Sequence, residues 1–242
     1  MEQEKRVGFF TSSQISRLCG SLKNGEPTKA FYTYIEDVKL EIALGRSLDV
    51  EVNTKPLKWG QLFEIILFQK KELGLNYKMA HKLTIIHDKI KHFSGTPDLI
   101  EPGVRVAENK CFYPKNFAKL SLCLLKKDVE LLKEEFPSIY WQVLSNAILC
   151  EVDRAEIIVF MPYKDELIDI IEQVEQTNIL EGNNLNPADY WFLQNDDIET
   201  LPYLPNDSKM KNINRFEFEV PTKDKTFLIS RIKEAVELLV EV

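Results

Sequence analysis

From Thr28 to Leu44 the apolar residues Phe31, Tyr34, Ile35, Val38 and Ile42 recur at the spacing of one helix face, and Gly45 follows. WGQLFEIILFQKKEL predicts a second helix, from about Pro56, a residue suited to a first helical turn, to Gly74. A shorter helix is expected in SSQISRLCGSL, with Ser12 or Ser13 as N-cap and Gly20 near its end. The period then changes. KLTIIHD, HFSGTPDLI and VRVAENK are short runs with β-branched residues, separated by turn residues, and they predict three antiparallel strands.

Helical spacing returns weakly over 115–125 and more firmly over 127–150, with a break expected near Pro137. RAEIIVFMPY has the continuous apolar run of a buried strand. DELIDIIEQVEQ predicts an acidic helix, and a polar stretch rich in Asn, Asp, Pro and aromatics continues to about residue 212. FEFEV alternates as an edge strand does, and TFLISRIKEAVELLV closes the chain as an amphipathic helix. These elements predict a mixed α/β fold without internal repeats. A single domain is expected over residues 1–242, with a core of 5–163 and 213–242 and residues 164–212 as an inserted acidic segment.

Composition changes this picture little. The 242 residues are 44% hydrophobic and 29% charged, ordinary for a chain that buries a core. No run has the apolar length of a membrane span, and MEQEKRVGFF lacks the features of a secretion signal, so a cytoplasmic location is expected. The four cysteines (Cys19, Cys111, Cys123, Cys150) form no Cys-x-x-Cys pair, which argues against zinc or iron–sulfur binding and predicts reduced, mostly buried thiols. The net charge of −7 is uneven: residues 1–150 hold 22 basic against 18 acidic side chains, and the remainder hold 9 against 20. A basic front half suits a face offered to a polyanion.

Three acid-x-lysine triplets occur, at Asp37–Lys39, Glu108–Lys110 and Asp207–Lys209. The first lies in a helical pattern, where positions i and i+2 diverge, and the third lies in a polar loop. Only Glu108 and Lys110 fall on a predicted strand, where i and i+2 share a face, and a hairpin would bring Asp98 alongside. Glu64 sits on the helix before the sheet. Gly60, one turn earlier, would admit another backbone or DNA, and Gln142 is a polar residue on an otherwise apolar helix. His81, His87 and His92 have no metal-binding spacing and are expected at the surface or facing phosphate. Lys70-Lys71 and Lys126-Lys127 read mainly as solvated helix faces.

Five blocks, in order, and the end of the chain resemble the PD-(D/E)XK nuclease superfamily and, more closely, the lambda-type (YqaJ-like) phage recombination exonucleases. RVGFFTSSQI is similar to that family's Arg-x-Gly…Thr-x-Ser start, and WGQLFE with the helix before it to the Gly-x-x-x-Glu block. GTPDL is similar to (S/T)-Pro-Asp-Gly, with Leu99 in place of glycine; ENKCF resembles Glu-x-Lys-Cys-Pro, with proline delayed to Pro114. YWQV resembles the glutamine helix, with Leu144 where a second glutamine is common, and FEFEV with its helix resembles the closing strand and helix. Residues 164–212 have no counterpart in the resemblance.

The resemblance implies an α/β restriction-endonuclease-like core and a Mg²⁺-dependent 5′→3′ exonuclease acting on ends of double-stranded DNA, with Mn²⁺ as a substitute. Asp98, Glu108 and the backbone carbonyl of Asn109 would be metal ligands, and Glu64 would hold a second ion or a water. Lys110 would position the attacking water and stabilise transition-state charge, with Gln142 orienting it. Arg6, Ser13 and Lys23 would form a 5′-phosphate pocket; Ser13 has the equal alternative of a helix N-cap. A toroidal homotrimer and a single-strand annealing protein partner are also implied. The alternatives are an endonuclease on the same core and a non-catalytic DNA-binding protein. The acidic segment 164–212 is expected to meet a protein or a neighbouring subunit rather than DNA.

Overall fold

The computed structural model describes residues 6–48, 54–70, 73 and 76–240. In chain order, β1 (Phe10–Thr11), α1 (Ser16–Cys19), α2 (Lys29–Leu44) and α3 (Lys55–Phe68) come first. β2 (Lys78–Met79), β3 (Ile85–Ile86), β4 (Phe93–Gly95), β5 (Leu99–Glu101) and β6 (Arg105–Lys110) follow. Then come α4 (Pro114–Leu125), α5 (Val129–Glu135), α6 (Pro137–Leu149) and β7 (Arg154–Phe160). The remainder is α7 (Lys164–Gln176), α8 (Ile179–Gly182), α9 (Phe192–Asn195), β8 (Ile213–Glu219) and α10 (Thr222–Val240).

Two sheets form. The larger has the order β2-β5-β6-β7-β8, and only β6 and β7 pair in parallel, which requires the crossover made by α4 to α6. The smaller has the order β1-β4-β3, with β1 and β4 parallel. The expected three-stranded meander is therefore corrected. HFSGTPDLI is two strands in two sheets, β4 and β5, and the chain changes sheet across Thr96-Pro97-Asp98. Pro97 has no N–H to extend a ladder, so pairing stops there. β3 keeps only two residues of KLTIIHD.

Helix boundaries follow local chemistry. Gly45 ends α2 in the left-handed conformation at φ 66°. Pro56 falls in the first turn of α3, which ends at Phe68; the predicted end at Gly74 lies outside the described residues, as does Lys71. The expected break near Pro137 separates α5 from α6 at Phe136. The cap expected at Ser12 or Ser13 does not form. α1 starts at Ser16 without a side-chain cap, because the Ser12 N–H donates to the Ser94 carbonyl at 3.0 Å and ties this turn to β4.

One apolar cluster lies on each face of the larger sheet. Val106, Ala155, Ile157 and Val159 point into the first, with α1, α2, α6 and α10. Ala107, Ile158 and Phe160 point into the second, where α3 contributes Trp59, Leu62, Phe63 and Ile66. Residues 164–212 complete this second core with Leu167, Ile170, Leu180, Tyr190, Phe192 and Leu193. They form a layer of the fold, not an appendage. The four cysteines are free thiols, Cys111 and Cys123 buried and Cys19 and Cys150 partly so, as expected. No described helix is long and apolar enough to cross a membrane.

Candidate active site

The sheet change at Pro97 builds the site. β5 and β6 pair antiparallel with Leu99 opposite Ala107, so Asp98 emerges beside Glu108 where the ladder ends. There the Asp98 carboxylate takes over from the backbone and accepts the Asn109 N–H at 2.7 Å. On β6, Val106, Glu108 and Lys110 share the face toward α6, by strand alternation. Glu108 is 1% exposed. Its Oε1 accepts from Lys110 Nζ at 2.8 Å and from the Gln142 amide, and its Oε2 accepts from Asn146 Nδ2 at 3.3 Å. Gln142 and Asn146 are one turn apart on α6 and therefore face the same way. Gln142 Oε1 also accepts from Lys110 at 3.4 Å, closing a Glu108–Gln142–Lys110 triangle.

Glu64 enters from α3, on the other core's side, and meets Asp98 across a cleft of about 490 Å³ lined also by Gln61 and Asn109. A second cleft, of about 290 Å³, joins Glu64, Asp98 and Gln142 to Arg6, Ser13 and Thr96. The structure thus brings Glu64, Asp98, Glu108, Lys110, Gln142, Arg6 and Ser13 to one region. Lys23 stays apart, in the exposed turn between Ser21 and Pro27, and lines neither cleft. Arg6 donates to Thr96 Oγ1 at 2.5 Å and to Thr84 Oγ1 at 3.4 Å. A side chain added at Gly60 would meet no protein atom within 4 Å, so no protein backbone crowds it.

The acids repel one another. Burial, then the charges of Glu108 and Glu64, hold the Asp98 carboxyl well above the usual range. Burial raises Glu64 to about 7, with Glu108 adding to the rise and Lys110 opposing it. Burial alone would lower Lys110, but Glu108, Asp98 and Glu64 outweigh it and hold the ammonium above the ordinary lysine value.

Among the described residues no three His, Cys, Asp or Glu side chains stand close enough to form a ready-made metal cluster. Glu108 is engaged by Lys110 and two amides, and Asp98 by a backbone N–H, so the donors are each held by protein. The set nonetheless fits a hard cation. Its donors are all oxygens, and burial with mutual repulsion disfavours the ionised form of Asp98 and Glu64, a cost that a divalent ion would offset.

Asn146 and Ser145 carry no motif along the chain, and Ser12 reads there only as a helix cap. Asn146 is fully buried, with its Oδ1 lacking a protein partner, and Ser12 Oγ lies 2.8 Å from Ser145 Oγ. The signal available was an amide four residues after Gln142 on an apolar helix. Gly95 lets this layer close. A Cβ there would fall inside contact distance of Ser12 Oγ, 2.5 Å from Asn146 Oδ1 and 2.6 Å from Leu149 Cδ1. Gly95→Ala is expected to cost about 2–3 kcal/mol of stability by overpacking, read from urea unfolding. It should also lower activity, since the clash pushes Asn146 off Glu108.

The histidines divide. His81 lines both clefts, His87 Nδ1 accepts the backbone N–H groups of Lys89 and Ile90, and a His92 ring nitrogen lies 2.7 Å from the Gly8 carbonyl. Lys70 pairs with Glu166, and Lys127 donates to the Arg215 carbonyl.

An alkaline exonuclease from Laribacter hongkongensis superposes over 98% of this chain and 91% of its own, with TM-score 0.61 and 10% identity. The fold is that of this exonuclease. The same protein solved in complex with dAMP superposes equally well, over 98% and 90%, again at TM-score 0.61 and 10% identity. A phage-related exonuclease from Haemophilus somnus 129PT covers 96% of this chain and 91% of its own, with TM-score 0.56 and 15% identity. Neither a protein-family model nor a curated protein sequence matches the chain. The α/β nuclease-type fold expected from the sequence is therefore present, at identities where only the architecture is shared.

Proposed function

We infer that the chain is a Mg²⁺-dependent 5′→3′ exonuclease that degrades one strand of linear double-stranded DNA and leaves a 3′ single strand. One observation carries this reading. Two carboxylates of raised pKa, Glu64 and Asp98, line an open cleft together with Gln142, and Gln142 bonds to the buried Glu108–Lys110 pair beside it, a place where purely structural acids would have no reason to sit. The exonuclease neighbours, one of them solved with a deoxymononucleotide, support the same class of chemistry.

Asp98, Glu108 and the Asn109 carbonyl would hold the metal, and Glu64 a second ion or a water. When bound, Mg²⁺ supplies an acidified water and neutralises charge on the entering and leaving oxygens. The protein's own residues do the rest. Lys110, whose ammonium form the neighbouring acids favour, would donate to the scissile phosphate or the attacking water, offsetting the charge that grows there. Gln142 accepts from Lys110 while donating to Glu108, so it fixes the ammonium and the carboxylate relative to each other. Arg6 lies across the same cleft with its guanidinium steadied by two threonine hydroxyls, placed to fork the 5′-phosphate with Ser13 beside it. Lys23 would need the bound DNA to reach it. A homotrimer around DNA, a cytoplasmic location and an annealing protein that takes the 3′ strand complete the proposal.

The test is digestion of end-labelled linear duplex with Mg²⁺ or Mn²⁺, with and without a 5′-phosphate, beside closed circular DNA. Stepwise release from phosphorylated 5′ ends, with circles untouched, is the expected result. Nicked or linearised circles would move the reading to an endonuclease. No cleavage with either metal would leave a DNA-binding protein on a nuclease fold.

A further inference from the structure

The segment 164–212 carries eleven acids and three lysines, which suggests distance from DNA. Its fold says otherwise for one short stretch. Asn183, Asn184 and Leu185 form the outer wall of the cleft whose inner wall holds Glu64 and Asp98. These three residues are uncharged, so the wall facing the phosphate chemistry lacks the acidity of its flanks.

The wall is rigid. After α8 the N–H groups of Asn183 and Leu185 both donate to the Leu180 carbonyl, at 3.1 and 2.8 Å, and the Asn184 N–H donates to Glu181 at 2.9 Å. The Asn183 amide donates to the Ile179 carbonyl at 2.8 Å, and Leu180 anchors the turn in the second core. Lys82 reaches across from the sheet side and donates to the Asn183 carbonyl at 3.3 Å. Asn184 stands at the apex with φ 59°, exposed, in a conformation that glycine and asparagine accept. Apolar surface comes from both sides, Leu185 on this wall and Met79 with Ile65 opposite, and amides from Gln61 and Asn184 border it. Apolar faces bordered by amides, each pairing a donor with an acceptor, are the chemistry that receives a nucleobase.

We propose that Asn184 and Leu185 form a base-binding subsite for the nucleotide being removed, so that this segment grips the base while the carboxylates hold its phosphate. The inference rests on the nuclease reading for its context. A mononucleotide probe tests it without requiring catalysis.

Binding of 2-aminopurine deoxyribonucleoside monophosphate would be followed by its fluorescence, with and without Mg²⁺, for the unaltered protein, Asn184→Gly, Leu185→Ala and Leu185→Met. Glycine keeps the left-handed backbone at 184, and methionine keeps the apolar volume at 185. Loss of roughly tenfold in affinity is expected for Asn184→Gly and for Leu185→Ala, with Leu185→Met close to the unaltered protein. Unfolding temperatures would show that the variants fold, and Asn184→Gly carries the test alone if Leu185→Ala does not. Equal affinity in Asn184→Gly, or equally tight binding of deoxyribose phosphate without a base, would overturn the subsite. So would failure of the unaltered protein to bind the probe. Duplex digestion separates the two readings: cleavage with unchanged probe affinity in the variants defeats the subsite alone, and the expected affinity pattern without cleavage defeats the nuclease alone.

Discussion

Lys110→Ala is expected to lower single-turnover cleavage by roughly 10²–10³-fold at saturating Mg²⁺, with a much smaller change in duplex affinity. The ammonium is 2.8 Å from Glu108 and feels Asp98 and Glu64 as well, so its loss removes the donor proposed for the phosphate and unbalances three acids together. Glu108 would remain buried without its cation. Breaking such a pair costs about 3 kcal/mol or more, which predicts a lower unfolding temperature in EDTA. Added Mg²⁺ should then raise that temperature more in the variant than in the unaltered protein, because the ion replaces the missing positive charge. Lys110→Arg should not restore the rate, since a planar guanidinium cannot keep the Glu108–Gln142 triangle. Cleavage by Lys110→Ala within threefold of the unaltered rate would remove Lys110 from the reaction.

The second large effect is a separation of stability from activity at Glu64. Its carboxyl goes from 4.5 in the unfolded chain to about 7 in the fold, with burial as the main cause. A raised carboxyl favours the protonated fold, so its stabilising contribution is complete below pH 4.5 and is lost as pH rises through about 7. Asp98, raised in the same direction, adds to the loss. Glu64→Gln is neutral throughout and escapes it. In EDTA the variant should match the unaltered protein near pH 4.5 and exceed it above pH 7 by about 3 kcal/mol, roughly 6–12 °C in unfolding temperature. Its cleavage should fall roughly 10–100-fold, because the ligand proposed for the second ion or its water is gone. Melting curves across pH 4.5–8 decide the matter. Equal stability of the two proteins at pH 8 would mean that Glu64 is not a strained acid in the fold.

These effects sit on residues that differ in how visible they were along the chain. Glu108 and Lys110 were legible because strand alternation alone puts i and i+2 on one face, and β6 is long enough to show that period. α2, α6, β7 and α10 were legible for the same reason: each repeats a 3.6 or continuous apolar pattern over many residues. β1 and β2 are two residues each and have no period to display; they exist because β4 and β5 offer them unpaired edges. Pro97 was visible as a residue, yet its effect of moving the chain from one sheet to another depends on both sheets being there.

Asn146 shows the limit most clearly. On its own helix it is one amide among apolar residues, and it becomes Glu108's partner only because α6 lies across β6. Residues 164–212 show it at larger scale, since their acidic composition pointed away from the cleft and their buried apolar residues bring Asn183–Leu185 to its rim. The elements with long periods, and the identity of the acids and the lysine, could be read along the chain, because those are properties of neighbouring residues. The tertiary structure alone decided which acids share a cleft, which amides hold them and which segment walls them in. Those are contacts between residues tens of positions apart, which only packing of the two cores against one sheet can specify.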